Sequence, residues 1–205
     1  LLALAGNSLT LLVIFTNSHL NRSSFAVYVK TLAVTDTAVL LFKFFSFQNK
    51  TSRRFYFPSL CTILIFCGEA SVLLSVWTIV AITIERTLVV LFPFHRKKFV
   101  SAYRARMAIL AIFVGSVVFS ARILVVPIDR SINPVIRCQP SSNWTSYRNI
   151  NMTITEFGYC YIPLALVIVG NLLTVSTVKR AFLQRHDLIT NHSFHQKRRV
   201  ETSEN

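Results

Sequence analysis

Five apolar stretches, too long and too continuous for the core of a soluble domain, limit what this chain can fold into. They run roughly over residues 1–16, 25–47, 60–92, 107–128 and 157–182. A hydrocarbon core about 30 Å thick takes about 20 helical residues, so each stretch is long enough, or nearly so, to cross a bilayer. The runs lack the inside–outside alternation of a membrane barrel strand. The expected fold is therefore an all-α, polytopic transmembrane helix bundle. Charge content agrees: 15% of residues are charged against roughly 25% in soluble domains.

The formal charge of +14 would suggest nucleic acid if the chain were soluble. In a membrane protein it is better explained by basic connectors on the cytoplasmic side and an anionic inner leaflet, so no nucleic-acid partner is expected. With the start of the chain outside, the inner connectors collect Arg86, Arg96, Lys97, Lys98, Arg104 and Arg106, then Lys179, Arg180 and the later Lys197-Arg198-Arg199. The majority of the 22 basic residues then lie inside. This topology also puts three of the five sequons, at Asn49, Asn143 and Asn151, on the outer side, where glycans are added, while Asn21 and Asn191 fall inside. The opening LLALAGNSLTLLVIF holds a small-residue pair, Ala3 and Ala5, that fits a signal-peptidase site. The apolar run continues past it to Phe15, which favours a transmembrane helix whose start is missing. The polar end of the chain stops at no structural signal, so a fragment cut at both ends is expected.

The polar residues within the spans carry the chemistry. Cys61 and Arg86 are about 37 Å apart on a continuous helix, which puts Cys61 at the outer surface when Glu85-Arg86 is at the inner one. At that interface Arg86 can reach a partner and Glu85 can hold it in a neutral, side-by-side pair. Cys138, on the connector after the fourth stretch, is a natural disulfide partner for Cys61, since both are outside. Cys67 and Cys160 lie in apolar runs and read as packing residues. Asp36 is near the middle of the second span, where a carboxylate costs about 3 kcal/mol. Asn7 and Ser75 are at comparable depth. The three could coordinate a small cation, or form only a satisfied hydrogen-bond network.

Farther out, Lys43 lies two turns beyond Asp36 on the same face. Glu69 is about 25 Å above Arg86, and Arg122 about 24 Å above Arg106. These three charges reach one height in the outer third of the bundle. Two readings remain open: an internal Lys43–Glu69 or Arg122–Glu69 pair, or the floor of an outward-facing pocket for a polar or charged ligand. Pro163, inside the fifth span, frees a backbone carbonyl and favours a kink or bulge. No Walker loop, HExxH, GxSxG, metal-ligand pair or paired carboxylates appear, so enzymatic activity is not expected.

Taken together, these residues resemble the rhodopsin-like (class A) G-protein-coupled receptors. Gly6-Asn7 resembles the first-helix GN of that family, and Leu32-Ala33-Val34-Thr35-Asp36 its LAxxD. Glu85-Arg86 with Pro93 resembles E/DRY followed by a proline. Cys61 and Cys138 match the outer disulfide, and Pro163 the fifth-helix proline. The resemblance spans the chain as helices one to five, with residues 183–205 opening the third cytoplasmic loop. It implies a plasma-membrane receptor that passes the binding of an extracellular ligand to a heterotrimeric G protein. By the same resemblance, Glu85 and Arg86 latch the inactive state and contact the G protein. Asp36, Ser75 and Asn7 would hold an allosteric sodium ion, with no other cofactor, and Val76 and Pro163 would belong to the core that rearranges. Lys43, Gly68, Glu69, Val72 and Arg122 would line the ligand pocket.

The departures are Thr87 for the tyrosine of E/DRY, a fourth helix without tryptophan, and Asn171 where a fifth-helix tyrosine is common. Gly68 occupies the place of the amine receptors' aspartate, which argues against a biogenic amine. The SVWTIVAITIER style resembles invertebrate neuropeptide receptors of the FMRFamide-like kind, so a peptide ligand is expected. Helices six and seven are expected to be missing. A receptor of the same fold for a lipid or other small ligand remains open, as does a small transporter or channel subunit with Asp36 as its ion site.

Overall fold

The computed structural model describes residues 2–21, 23–51, 58–95, 99–125 and 145–203. Helix α1 (Leu2–Thr16) is followed by a single turn, α2 (Ser18–Asn21), and by α3 (Ser24–Thr51). The long helix α4 (Pro58–Leu91) comes next, then α5 (Ala102–Ser120) with its short continuation α6 (Arg122–Val125). A twelve-residue helix α7 (Thr145–Glu156) runs through a π-helical turn at Phe157–Tyr161 into α8 (Ile162–Ser203). Among the described residues there are no strands. Among the described residues, four helical segments are long and apolar enough to span a membrane: Ser24–Asn49, Leu60–Leu91, Ala102–Val125 and Asn149–Arg185. The α1 helix is apolar but shorter. The fold is an all-α transmembrane bundle.

Local chemistry accounts for most of the ends. Pro58 opens α4, where its missing N–H costs nothing because a first-turn N–H has no helical partner. Pro93 stops the same helix: α4 ends at Leu91, and Pro93–His95 form a 3₁₀ turn closed by the His95 N–H to the Phe92 carbonyl at 3.0 Å. The fourth apolar stretch covers 107–128, yet its helix starts earlier, at Ala102. Ser101 is extended there, and its carbonyl already accepts from Ala105 N at 3.0 Å. The segment 145–156, whose polarity suits a connector, is helical. The fifth stretch continues as helix past residue 182 to Ser203, with no proline or glycine after Gly170 to interrupt it.

Packing inverts the pattern of a soluble protein. Large apolar side chains such as Phe44, Phe113, Val118 and Leu172 are exposed, whereas Ser24, Ala26, Ala33, Ser75, Thr78, Ala105, Ser116 and Ser120 are buried. Lipid is as apolar as leucine, so helices in a bilayer gain little from hiding leucine and associate where small residues bring backbones close. The buried threonines remain satisfied within their own helices. Thr35 Oγ1 donates to the Thr31 carbonyl at 2.9 Å and Thr78 Oγ1 to that of Leu74 at 2.5 Å. Helix α4 is the centre of the bundle, packed against α3, α5 and α8, while α1 leans on α3. The polar residues of α4 therefore meet partners on these neighbouring helices.

Candidate functional site

Three polar layers are threaded along α4. At the Leu91 end of α4, the end expected to face the cytoplasm, Ser24 Oγ donates to Glu85 Oε1 at 2.7 Å. The Arg86 guanidinium lies over the Phe25 ring, 4.7 Å from its centroid. The expected side-by-side Glu85–Arg86 pair is thus not formed: successive helical residues point about 100° apart, and each finds a different partner on α3. Glu85, Tyr28 and Arg104 line one cavity of about 280 Å³ at this end. Beside it, Thr87 Oγ1 lies 3.1 Å from the Gly170 carbonyl and 3.1 Å from Thr174 Oγ1. A Cβ on Gly170 would be 2.7 Å from Thr83 Cγ2, so the glycine is what lets α8 cross α4 this closely.

In the middle layer Ser75 Oγ donates to Asp36 Oδ1 at 2.5 Å, which bridges α3 and α4. Asn7 is at the same level but turns to Thr37, with Nδ2 3.2 Å from Thr37 Oγ1. Two of the three residues expected to share a site are therefore in contact, and the third meets the residue next to Asp36. Among the described residues no cluster of three or more His, Cys, Asp or Glu could hold a metal.

The outer layer centres on Arg122. Its guanidinium forms an ion pair with Glu69 and also donates to the Phe119 carbonyl. It donates to Asn151 Oδ1 at 2.5 Å and to Thr155 Oγ1 at 2.6 Å, and it lies 3.9 Å from the Phe119 ring centroid. The side chains of the ion pair are only 16% and 12% exposed. Lys43 is within electrostatic reach of Glu69 but makes no ion pair among the described residues. It borders a cavity of about 310 Å³ whose wall on α4 includes the buried Gly68. Val72 and Val76 are half-buried below it, and Pro163 is buried on α8.

The bulge expected at Pro163 is present as the π turn. The Ile162 N–H donates to the Phe157 carbonyl, five residues back. Gly158 thereby loses its α-helical donor, and the residue that could serve it in a π pattern is Pro163, which has no N–H. Its carbonyl accepts instead from the Trp77 indole Nε1 at 3.2 Å.

The sequence pattern of the 7 transmembrane receptor (rhodopsin family) matches residues 6–203 of the chain. The chain belongs to the rhodopsin-like receptor family. A comparison with curated proteins finds no match. As a rhodopsin-family chain it is a multi-pass plasma-membrane protein with G-protein-coupled receptor activity, and its partners are an extracellular ligand and a G protein.

Two of the sequons in this rhodopsin-family chain lie on described helices. Asn49 is buried at 5% exposure within α3, and Asn151, on α7, accepts a hydrogen bond from Arg122. Asn143 and Cys138 lie outside the described residues; Cys61 is buried at the outer end of α4, and Cys67 and Cys160 are free. Sequence reasoning missed Ser24, Phe25, Trp77 and the Thr83–Gly170–Thr174 contact. Trp77 alone carried a usable signal, because an indole N–H in an apolar run must find an acceptor and Pro163 leaves one free.

Proposed function

We propose that this receptor responds to an extracellular peptide and passes the binding event to a heterotrimeric G protein. The supporting observation is the charged outer layer, in which Glu69, Arg122 and Lys43 are held within apolar spans. Charge at that depth is costly against lipid and is kept where a polar occupant or another charge meets it. A peptide, with polar backbone groups along its length, suits such a floor. Gly68 offers no carboxylate to an amine, and Glu69 is already committed to Arg122.

In this reading Lys43, Gly68, Glu69, Val72 and Arg122 border the ligand, and Val76 and Pro163 belong to the core that rearranges. Arg86 meets the G protein, with Glu85 setting its inactive position from Ser24. Asp36 and Ser75 supply two oxygens that suit a small hard cation such as sodium, with Asn7 nearby. A Cys61–Cys138 disulfide closes the outer mouth, and Asn143 is the glycan acceptor. The chain starts outside and ends inside, with residues 183–205 entering the third cytoplasmic loop.

A second reading, a lipid or other small apolar ligand, is favoured by the mostly apolar side chains around Lys43, among them Phe42, Leu64 and Ile65. Cells expressing the protein and challenged with separate peptide and lipid pools distinguish the two. The peptide reading expects a second-messenger response to the peptide pool that is lost in Arg86→Ala at equal surface expression. A response to the lipid pool alone assigns the second reading.

A further inference from the structure

We infer that Lys43 anchors a carboxylate carried by the ligand, and that the adjoining cavity takes the apolar group next to that carboxylate. The inference deepens the peptide reading and rests on it for the source of the carboxylate, though not for its charge.

The charges of the outer layer are not all paired among the described residues. Among the described residues Glu69 and Arg122 are nearly buried at this level, whereas Lys43 is exposed. Arg122 is fully engaged by Glu69, Asn151, Thr155 and the Phe119 carbonyl, and it is stacked on the Phe119 ring. The single negative charge of Glu69 is therefore taken up by a guanidinium that four acceptors and an aromatic face hold in place. Lys43 feels that charge without pairing with it, so its ammonium has no anionic partner among the described residues.

The position of Lys43 makes this costly. It lies about 9 Å below the outer end of the span Ser24–Asn49, counted at 1.5 Å per residue. An ammonium at that depth is unfavourable unless it snorkels, meets water or meets a counter-charge. It borders a cavity of about 310 Å³ between α3 and α4, with Phe42, Ser46, Leu64, Ile65 and Gly68 among its walls. Gly68 keeps the α4 wall bare: a Cβ there would come within 3.5 Å of Phe42 Cβ and begin to fill the space. A single ammonium beside an apolar cavity matches a monoanion with an apolar neighbour. A phosphate would call for a second cation or an arginine fork, and Arg122 is not free to supply one. A peptide supplies the required group as a free C-terminus or an acidic side chain beside an apolar residue. A fatty acid supplies the same chemistry without a peptide bond.

The test uses the full chain in lipid nanodiscs and two probe pairs, read by ligand-observed NMR. One pair is N-acetyl-Leu-Phe as free acid and as amide; the other is decanoate and decanamide. The expected result is that the dipeptide acid binds at least tenfold more tightly than its amide. Lys43→Met should erase that preference and Lys43→Arg should retain it, at unchanged thermal stability. A preference shown by decanoate alone, and lost in Lys43→Met, supports the anion site and counts against a peptide as its source. Equal binding of acids and amides, no binding of either acid, or an acid preference that survives Lys43→Met overturns the inference.

Discussion

Trp77 and Gly158 are joined by a hydrogen bond from an indole N–H to a backbone carbonyl across 3.2 Å, and each solves the other's problem. The carbonyl is orphaned by the π turn ahead of Pro163, and the indole is a donor in an apolar span. An apolar cavity of about 490 Å³ adjoins them, lined largely by side chains that offer neither partner a replacement. Trp77→Phe keeps an aromatic ring but removes the donor. The expected cost is about 1–3 kcal/mol for a buried, unsatisfied carbonyl, read as a lowered midpoint of thermal unfolding in detergent. An unchanged midpoint would show that the bond contributes nothing.

Gly170 should tolerate no side chain while Thr83 faces it. Gly170→Ala brings a Cβ to 2.7 Å from Thr83 Cγ2, and a helical threonine has little rotamer freedom to retreat. Overpacking of this kind costs about 1–3 kcal/mol. Combining it with Thr83→Ser, which removes the clashing methyl, should recover most of the loss. A double-mutant cycle in thermal stability measures that coupling, and strict additivity would exclude the contact.

Removing one member of the outer ion pair should cost more than removing both. Arg122→Met leaves Glu69 nearly buried without its partner, for an expected loss of about 3 kcal/mol. Glu69→Leu combined with Arg122→Met should be close to neutral, since two apolar groups then replace two charges. Denaturation of the purified single and double variants compares them directly.

Helix positions are legible in the lengths of the apolar runs, and depth is legible in the rise per residue. The levels shared by Asp36 with Ser75, and by Glu69 with Arg122, therefore follow from residue numbers alone. Azimuth does not. Whether Glu85 turns to Arg86 or to Ser24, and whether Asn7 turns to Asp36 or to Thr37, depends on how each helix is rotated against its neighbours. Small residues far apart in the chain set that rotation, as Gly170 does against Thr83. The helical state of 145–156 is equally hidden, because its polar composition suits a connector just as well.

Sodium dependence tests the middle layer. If Asp36 and Ser75 hold a sodium ion, replacing potassium with sodium at constant ionic strength should raise the thermal midpoint of the protein, since a ligand that binds only the folded state stabilises it. Asp36→Asn should abolish that difference. A midpoint insensitive to the exchange would leave the pair as a hydrogen bond between helices.

The most direct test of the receptor function is guanine-nucleotide exchange on purified heterotrimeric G proteins, driven by the full-length receptor in nanodiscs with a pooled peptide library. The peptide pool is predicted to accelerate exchange, and Arg86→Ala to abolish the acceleration while folding is retained. Exchange that ignores the pool, or that persists in Arg86→Ala, would contradict that function.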